Sequence, residues 1–147
     1  MKFVVDTNIV FSATLNTNGK IGDLIMNSDG ILEFCTCDAL RMELKKHTPK
    51  LLMLSKLDEK DLAQSIHQIT QHLTFLEEAS IPFEMWMKAV DLVRGVDSDD
   101  VAFVALTEFL GAKLWTGDKA LIKGLAKKGY TNFITTDELY KLRSLLE

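Results

Sequence analysis

Short apolar runs alternate with stretches of helical periodicity along the whole chain. Residues 2–6 form a β-rich apolar run that ends on an acid. Thr7-Asn8 then offers side-chain oxygens suited to a turn or cap, so the pattern predicts a buried strand leading into a loop. After Asn16-Thr17-Asn18-Gly19, the residues Ile21, Leu24 and Ile25 recur at helical spacing until Ser28-Asp29-Gly30. Residues 31–37 read as a second strand. Asp38 is placed to cap a helix whose Leu40 and Leu44 face the core, with Arg41, Glu43, Lys45 and Lys46 on its other faces. Pro49 marks the next start, and residues 51–57 and 62–73, with Asp58 as a cap between them, predict a helical pair projecting from the body. A short strand at 73–76, a helix at 83–93 opened by Pro82 and a helix at 98–110 closed by Gly111 follow. A strand at 112–116, a helix at 119–128, a strand at 133–135 and a helix from Thr136 complete the pattern.

Strands that alternate with helices through short loops imply parallel pairing with right-handed crossovers. The expected fold is therefore α/β: a three-layer α/β/α sandwich around a central parallel sheet of about five strands, with the helical pair projecting from it. No repeat or linker interrupts the chain, so residues 1–147 are expected to form a single domain. A chain of this length buries about 70% of its unfolded surface.

Composition narrows the class. The chain is 47% hydrophobic and 26% charged, the balance of a folded domain rather than a disordered one. No apolar run approaches the roughly 18 residues that cross a bilayer, and the first apolar run meets Asp6 too soon for a signal peptide, so a cytoplasmic protein without membrane attachment is expected. Cys35 and Cys37 form a C-x-C on one strand face with no second thiol pair or suitably placed His, the pattern of reduced structural cysteines. His67 and His72 fall on different helix faces, and His47 stands alone near Pro49, so no nucleophilic triad emerges.

Four acids then acquire meaning from the order of elements. Asp6 closes the first strand, Glu43 rides a helix, Asp100 opens another, and Asp118 follows the fourth strand. Open parallel sheets bind ligands beyond the carboxyl ends of their strands, near the point where strand order reverses. Individually, Asp97, Asp99, Asp100 and Asp118 read equally well as helix caps and Glu43 as a solvated helix residue. Asp6 resists that reading, because an ionised group at the end of a buried strand costs several kcal/mol without a partner. Gathered together, the carboxylates would repel one another unless a cation sat among them, and an all-oxygen donor set favours Mg²⁺ or Mn²⁺ over zinc. Such ions suit phosphodiester hydrolysis by an activated water. The formal charge of −4 weighs little against a polyanionic substrate, since two divalent ions would bring it close to zero.

Two other readings stay open. Phosphoryl transfer through an aspartyl-phosphate would use an acid where Asp6 stands, but the second acid expected two residues on is absent. The second is a non-catalytic nucleic-acid-binding or receiver-like regulatory module, of which the receiver form would need an accepting Asp after the middle strand, where only Glu77 and Glu78 occur.

The segments Asp6-Thr7-Asn8, Ala39-Leu40-Arg41-Met42-Glu43-Leu44, Asp97-Ser98-Asp99-Asp100 and Thr116-Gly117-Asp118 together resemble the PIN-domain ribonucleases, many of which are toxins of the toxin-antitoxin systems called VapBC. The resemblance runs from residue 1 to about residue 140. It implies a metal-dependent endoribonuclease acting on RNA, with Asp6, Glu43, Asp100 and Asp118 as the acidic cluster. Asn8 and Thr116 would support it by hydrogen bonds, and an antitoxin protein would be a partner. Val101 departs from the alanine common in the family, and Asp99 or Asp97 competes with Asp100 as the ligand; Asp97 is assigned an orienting place one turn before it. Lys119, Lys123 and Lys127 recur at i, i+4 and i+8 after Asp118, either an ordinary solvated face or, at Lys119 and Lys123, a contact for substrate phosphates. Phe83, Trp86 and Met87 form a packing surface for a partner or a second copy in a homodimer.

Overall fold

The computed structural model describes residues 1–147, ordered as β1 (Lys2–Val5), α1 (Thr7–Leu15), α2 (Lys20–Met26), β2 (Glu33–Cys37), α3 (Asp38–Lys46), α4 (Thr48–Ser55), α5 (Glu59–Thr70), β3 (Leu73–Leu76), α6 (Phe83–Val93), α7 (Val101–Leu110), β4 (Lys113–Trp115), α8 (Lys119–Ala126), β5 (Phe133–Ile134) and α9 (Thr136–Leu146). Single 3-10 turns cover Glu78–Ser80 and Ser98–Asp100. The five strands form one sheet in the order β3-β2-β1-β4-β5, every pair parallel. The chain runs outward from β1 to β3, returns across the sheet, and runs outward again from β4. Strand order therefore reverses between β1 and β4, where Val5 lies opposite Trp115.

Right-handed crossovers fix which face each helix covers. The steps from β1 to β3 place α1 to α5 on one face, and the return and outward step place α6, α7 and α8 on the other. α7 is the central helix of its face: Ala102 to Thr107 are all buried, and Gly111 at φ +61 ends it in the left-handed turn that a side chain would disfavour. The core between the layers is filled by Val4, Val5, Phe34, Phe103, Leu106, Leu114 and Trp115, and Trp115 stacks on Phe34 with ring centroids 5.2 Å apart. Its indole N–H donates to Thr136 Oγ1 at 3.0 Å, tying β4 to the start of α9. Leu51, Leu62 and Ile69 seat the α4–α5 pair, while Met53, Leu54 and Leu57 at its far end are exposed. No helix is long and apolar enough to cross a membrane.

The segment after Asp6 departs from the expected loop. Thr7–Leu15 is a helix in which Thr7, Ile9, Val10, Ala13 and Thr14 are all buried. Packing on several sides removes the polar face that would have announced a helix, and its β-branched residues favour strands intrinsically. Thr14 Oγ1 satisfies itself by donating to Val10 O at 2.8 Å. Several boundaries also shift: α4 and α5 begin and end earlier than expected, at Thr48–Ser55 and Glu59–Thr70, and α7 begins at Val101 after a 3-10 turn. β2 begins at Glu33 because the N–H groups of Ile31 and Leu32 close a turn on Ser28 O, and Asp38 is the first residue of α3, with Cys37 as its cap.

Candidate metal centre

Three helical segments begin at the reversal point, and an aspartate stands at each beginning. Asp6 ends β1 and caps α1, its Oδ1 accepting from the Ile9 N–H at 3.0 Å. Asp118, three residues beyond β4, caps α8 by accepting from the Leu121 N–H at 3.0 Å. Asp97 caps the 3-10 turn before α7, accepting from the Asp99 N–H at 3.0 Å. Capping and ion binding are thus compatible. Each cap commits one carboxylate oxygen and leaves the other, and the positive ends of the helices soften the mutual repulsion.

The loop carrying Asp97 to Asp100 is pressed toward Asp118 by two devices that the sequence pattern concealed. Lys128, beyond α8, donates from Nζ to the carbonyls of Asp91, Leu92 and Arg94 and so holds the end of α6. Gly124 in α8 lies against Val96; a Cβ there would meet Val96 Cγ1 at 2.7 Å. As a result one carboxylate oxygen from each of Asp97, Asp100 and Asp118 lies within 4.8 Å of the others, all three side chains half-buried. Asp97, expected in an orienting place, reaches as deep into this group as the other two. Asp99 is exposed.

Asp6 and Glu43 stand beside that group. Asp6 is only 1% exposed, and its Oδ2 is buried without a hydrogen-bond partner. Burial pushes its pKa up to about 6, with the Asp118 charge adding to the rise; the Thr116 hydroxyl and the N–H groups of Ile9 and Asn8 pull the other way. Asp100 is pushed up to about 8, first by burial and then by the charges of Asp6, Asp97 and Asp118. Thr116 is buried and its Oγ1 accepts from the Asp118 N–H at 3.1 Å, fixing the turn between β4 and α8.

Glu43 opens onto a hollow of about 130 Å³ lined by Thr7, Asn8, Phe11, His47, Asp97, Asp99 and Asp100. Asn8 is exposed on its rim. His47, which in the sequence stands alone, is in fact the residue nearest Glu43 in charge terms, its Nε2 3.4 Å from Glu43 Oε2. The i, i+4 spacing of the two residues carries the signal for this pair. Lys119, Lys123 and Lys127 are exposed and form no ion pair with any acid. A larger hollow of about 480 Å³ opens at the opposite, amino end of β2 and β3, but of its two acids, Asp29 and Glu33, the first is in contact with His72 at 3.0 Å and no cluster of acids forms there.

The donor set fits a hard divalent cation. It is made of carboxylate oxygens with no thiol or imidazole in the tight group, and burial raises the pKa of Asp100 within it and of Asp6 beside it. An open parallel sheet with such a cluster at its switch point defines an α/β protein with a carboxylate-lined site at the sheet's carboxyl edge. The PIN domain model matches residues 4–141, and the chain belongs to the PIN domain family. Its fold is shared with a chain in the structure of VapBC-1 from nontypeable Haemophilus influenzae, with a TM-score of 0.67 and 13% identity over 93% of this chain and 99% of that one. It is shared also with a chain in the structure of VapBC2 from Rickettsia felis bound to a DNA fragment from their promoter, with a TM-score of 0.65 and 12% identity over 92% and 97%. No curated protein sequence matches the chain.

Proposed function

We propose that this protein is a metal-dependent endoribonuclease that hydrolyses RNA phosphodiester bonds, and that it is the toxin of a toxin-antitoxin pair. The observation that carries the nuclease reading is the convergence of Asp97, Asp100 and Asp118 beside a buried Asp6 whose second oxygen has no partner. Mg²⁺ or Mn²⁺ bound there supplies Lewis-acid polarisation of the phosphodiester and lowers the pKa of the attacking water. Asp6, Glu43, Asp100 and Asp118 are the proposed ligands, with Asp97 close enough to join them and Asn8 and Thr116 holding the surrounding loops. Lys119 and Lys123, exposed and unpaired on the helix that starts at Asp118, meet the phosphates of the strand next to the scissile bond. No protein nucleophile is needed.

The toxin reading is supported by the likeness to chains in VapBC structures, and it brings an antitoxin protein as partner. A homodimer through α6 accords with the exposure of Phe83 and Met87 along that helix.

Labelled RNA incubated with Mn²⁺, Mg²⁺ or EDTA, beside an Asp6→Asn variant, tests the central claim. Cleavage should need the ion and should fall by at least ~100-fold in the variant, since even groups that only orient ligands are worth about 10- to 100-fold. Cleavage that persists in EDTA, or an undiminished Asp6→Asn protein, rejects the metal mechanism. Binding without cleavage favours a nucleic-acid-binding module instead.

A further inference from the structure

Asp6, Asp97 and Asp118 share one device: a backbone N–H at a helical start holds one oxygen of each carboxylate and leaves the other unclaimed by that cap. Glu43 cannot use it. It lies inside α3, where backbone N–H groups belong to the helical ladder, so a side chain must do the holding. His47 is the side chain in place, one turn later, with Nε2 3.4 Å from Glu43 Oε2. The imidazole is itself fixed. Phe11 meets it edge-on from α1 with centroids 5.6 Å apart and an interplanar angle of 82°. Its backbone joins α3 to α4, the His47 N–H donating to Glu43 O at 3.0 Å and the His47 carbonyl accepting from the Leu51 N–H at 3.0 Å.

We propose that His47 is the positioning residue for Glu43: it holds Oε2 against the wall of the acidic hollow and leaves Oε1 to face a divalent cation shared with the aspartates. The inference rests on the cation-binding reading above. It requires a hydrogen on Nε2, which the neutral Nε2–H tautomer and the imidazolium both supply. At 3.4 Å the two groups are in contact without forming a hydrogen bond, so the role asked of His47 requires Glu43 Oε2 to close this gap when a cation binds. A purely structural i, i+4 pair would support the helix alone and would leave ion binding untouched.

Mn²⁺ titrated into the intact protein, followed by calorimetry and by electron paramagnetic resonance, separates these roles without reference to RNA cleavage. His47→Ala should weaken Mn²⁺ binding about tenfold or more, whereas His47→Gln, whose amide N–H reaches the same region, should stay within about threefold of the parent. Adding His47→Ala to Glu43→Gln should cost no further affinity. Thermal melts of each variant in EDTA report the fold. Unchanged Mn²⁺ affinity in His47→Ala, full additivity in the double variant, or equal losses in the Ala and Gln variants accompanied by lower melting temperatures would each overturn the inference and leave the cation site standing. Failure of the parent protein to bind Mn²⁺ overturns the cation-binding reading beneath it.

Discussion

Two regions of this molecule take acids out of water, and they treat them in opposite ways. Between α2 and α9, Arg143 is 7% exposed and meets Asp23 with Nη2 at 2.6 Å from Oδ2; Nη1 donates to Asp23 O at 3.2 Å and to Ser28 Oγ at 3.3 Å. Asn27 donates to the other Asp23 oxygen at 2.7 Å, and Tyr140 lies under the guanidinium with its ring centroid 4.9 Å away. The hydrogen bond from Arg143, with that from Asn27, lowers the Asp23 pKa below the usual carboxylate range. At the carboxyl edge of the sheet, Asp6, Asp97, Asp100 and Asp118 form no ion pair at all, and burial drives Asp6 and Asp100 upward. The chain can plainly supply an arginine where a carboxylate must be neutralised for stability alone. Its absence from the sheet edge leaves the cluster without a counter-charge from the chain, which is the condition the proposed cation site requires.

The largest effect should come from breaking the paired region. Arg143→Ala removes the counter-charge of Asp23 and the donor to Ser28 and strips the packing from Tyr140, so unfolding free energy should fall by about 3 kcal/mol. Urea denaturation followed by circular dichroism measures this. A loss below about 1 kcal/mol would mean that the pair is surface decoration and that the contrast between the regions is false.

The reverse sign is expected at the unpaired region. Asp100, pushed up to about 8, must take up a proton on folding at pH 7 without metal, and Asp100→Asn needs none, so in EDTA at pH 7 the variant should be more stable than the parent. Water reaches the half-buried side chain and screens it, which brings the expected gain down to ~2 kcal/mol. With saturating Mn²⁺ the order should invert, because the variant loses the linkage between ion binding and folding. A destabilised Asp100→Asn protein in EDTA would show that the carboxylates are not in mutual repulsion.

Most of the architecture was readable because buried parallel strands and one-faced helices write regular patterns. All five strands and the helices from α2 onward follow from those patterns, and the place of Asp6 and Asp118 at one sheet edge follows from the alternation of elements alone. Residues 7–15 were not readable as a helix, since a helix buried on several sides has no polar stripe. At the site, Asp118 and Asp97 looked like caps and are caps; a sequence cannot reveal that each also brings a carboxylate oxygen within 4.8 Å of those of two other aspartates. The depth of Asp97 depends on Gly124 and Lys128, contacts made across the fold by residues that look like an ordinary small residue and a surface lysine. Local sequence records periodicity well and tertiary approach poorly.

The smallest effect is also the one that sets the two regions directly against each other, through pH. Asp6 and Asp100 bind protons more tightly folded than unfolded, with folded values of about 6 and about 8 against an ordinary value of 3.8. Wherever the folded state holds more protons, stability falls as pH rises, so the metal-free protein should lose stability through the window from about 4 to 8. Between pH 6 and pH 8 Asp100 is the group still titrating, and screening limits the loss there to ~1 kcal/mol. Asp23 has the opposite sign: its lowered pKa gives stability that is present above its unfolded value and is lost only as pH falls through the folded one. Asp23→Asn should therefore be less stable than the parent at pH 7 yet keep the same slope between pH 6 and 8, whereas Asp100→Asn should flatten that slope. Melting curves in EDTA at half-unit pH steps distinguish them. A parent protein whose stability rises from pH 6 to pH 8 without metal would mean that the sheet-edge carboxylates have found a counter-charge within the chain, and the reason for placing a cation there would be gone.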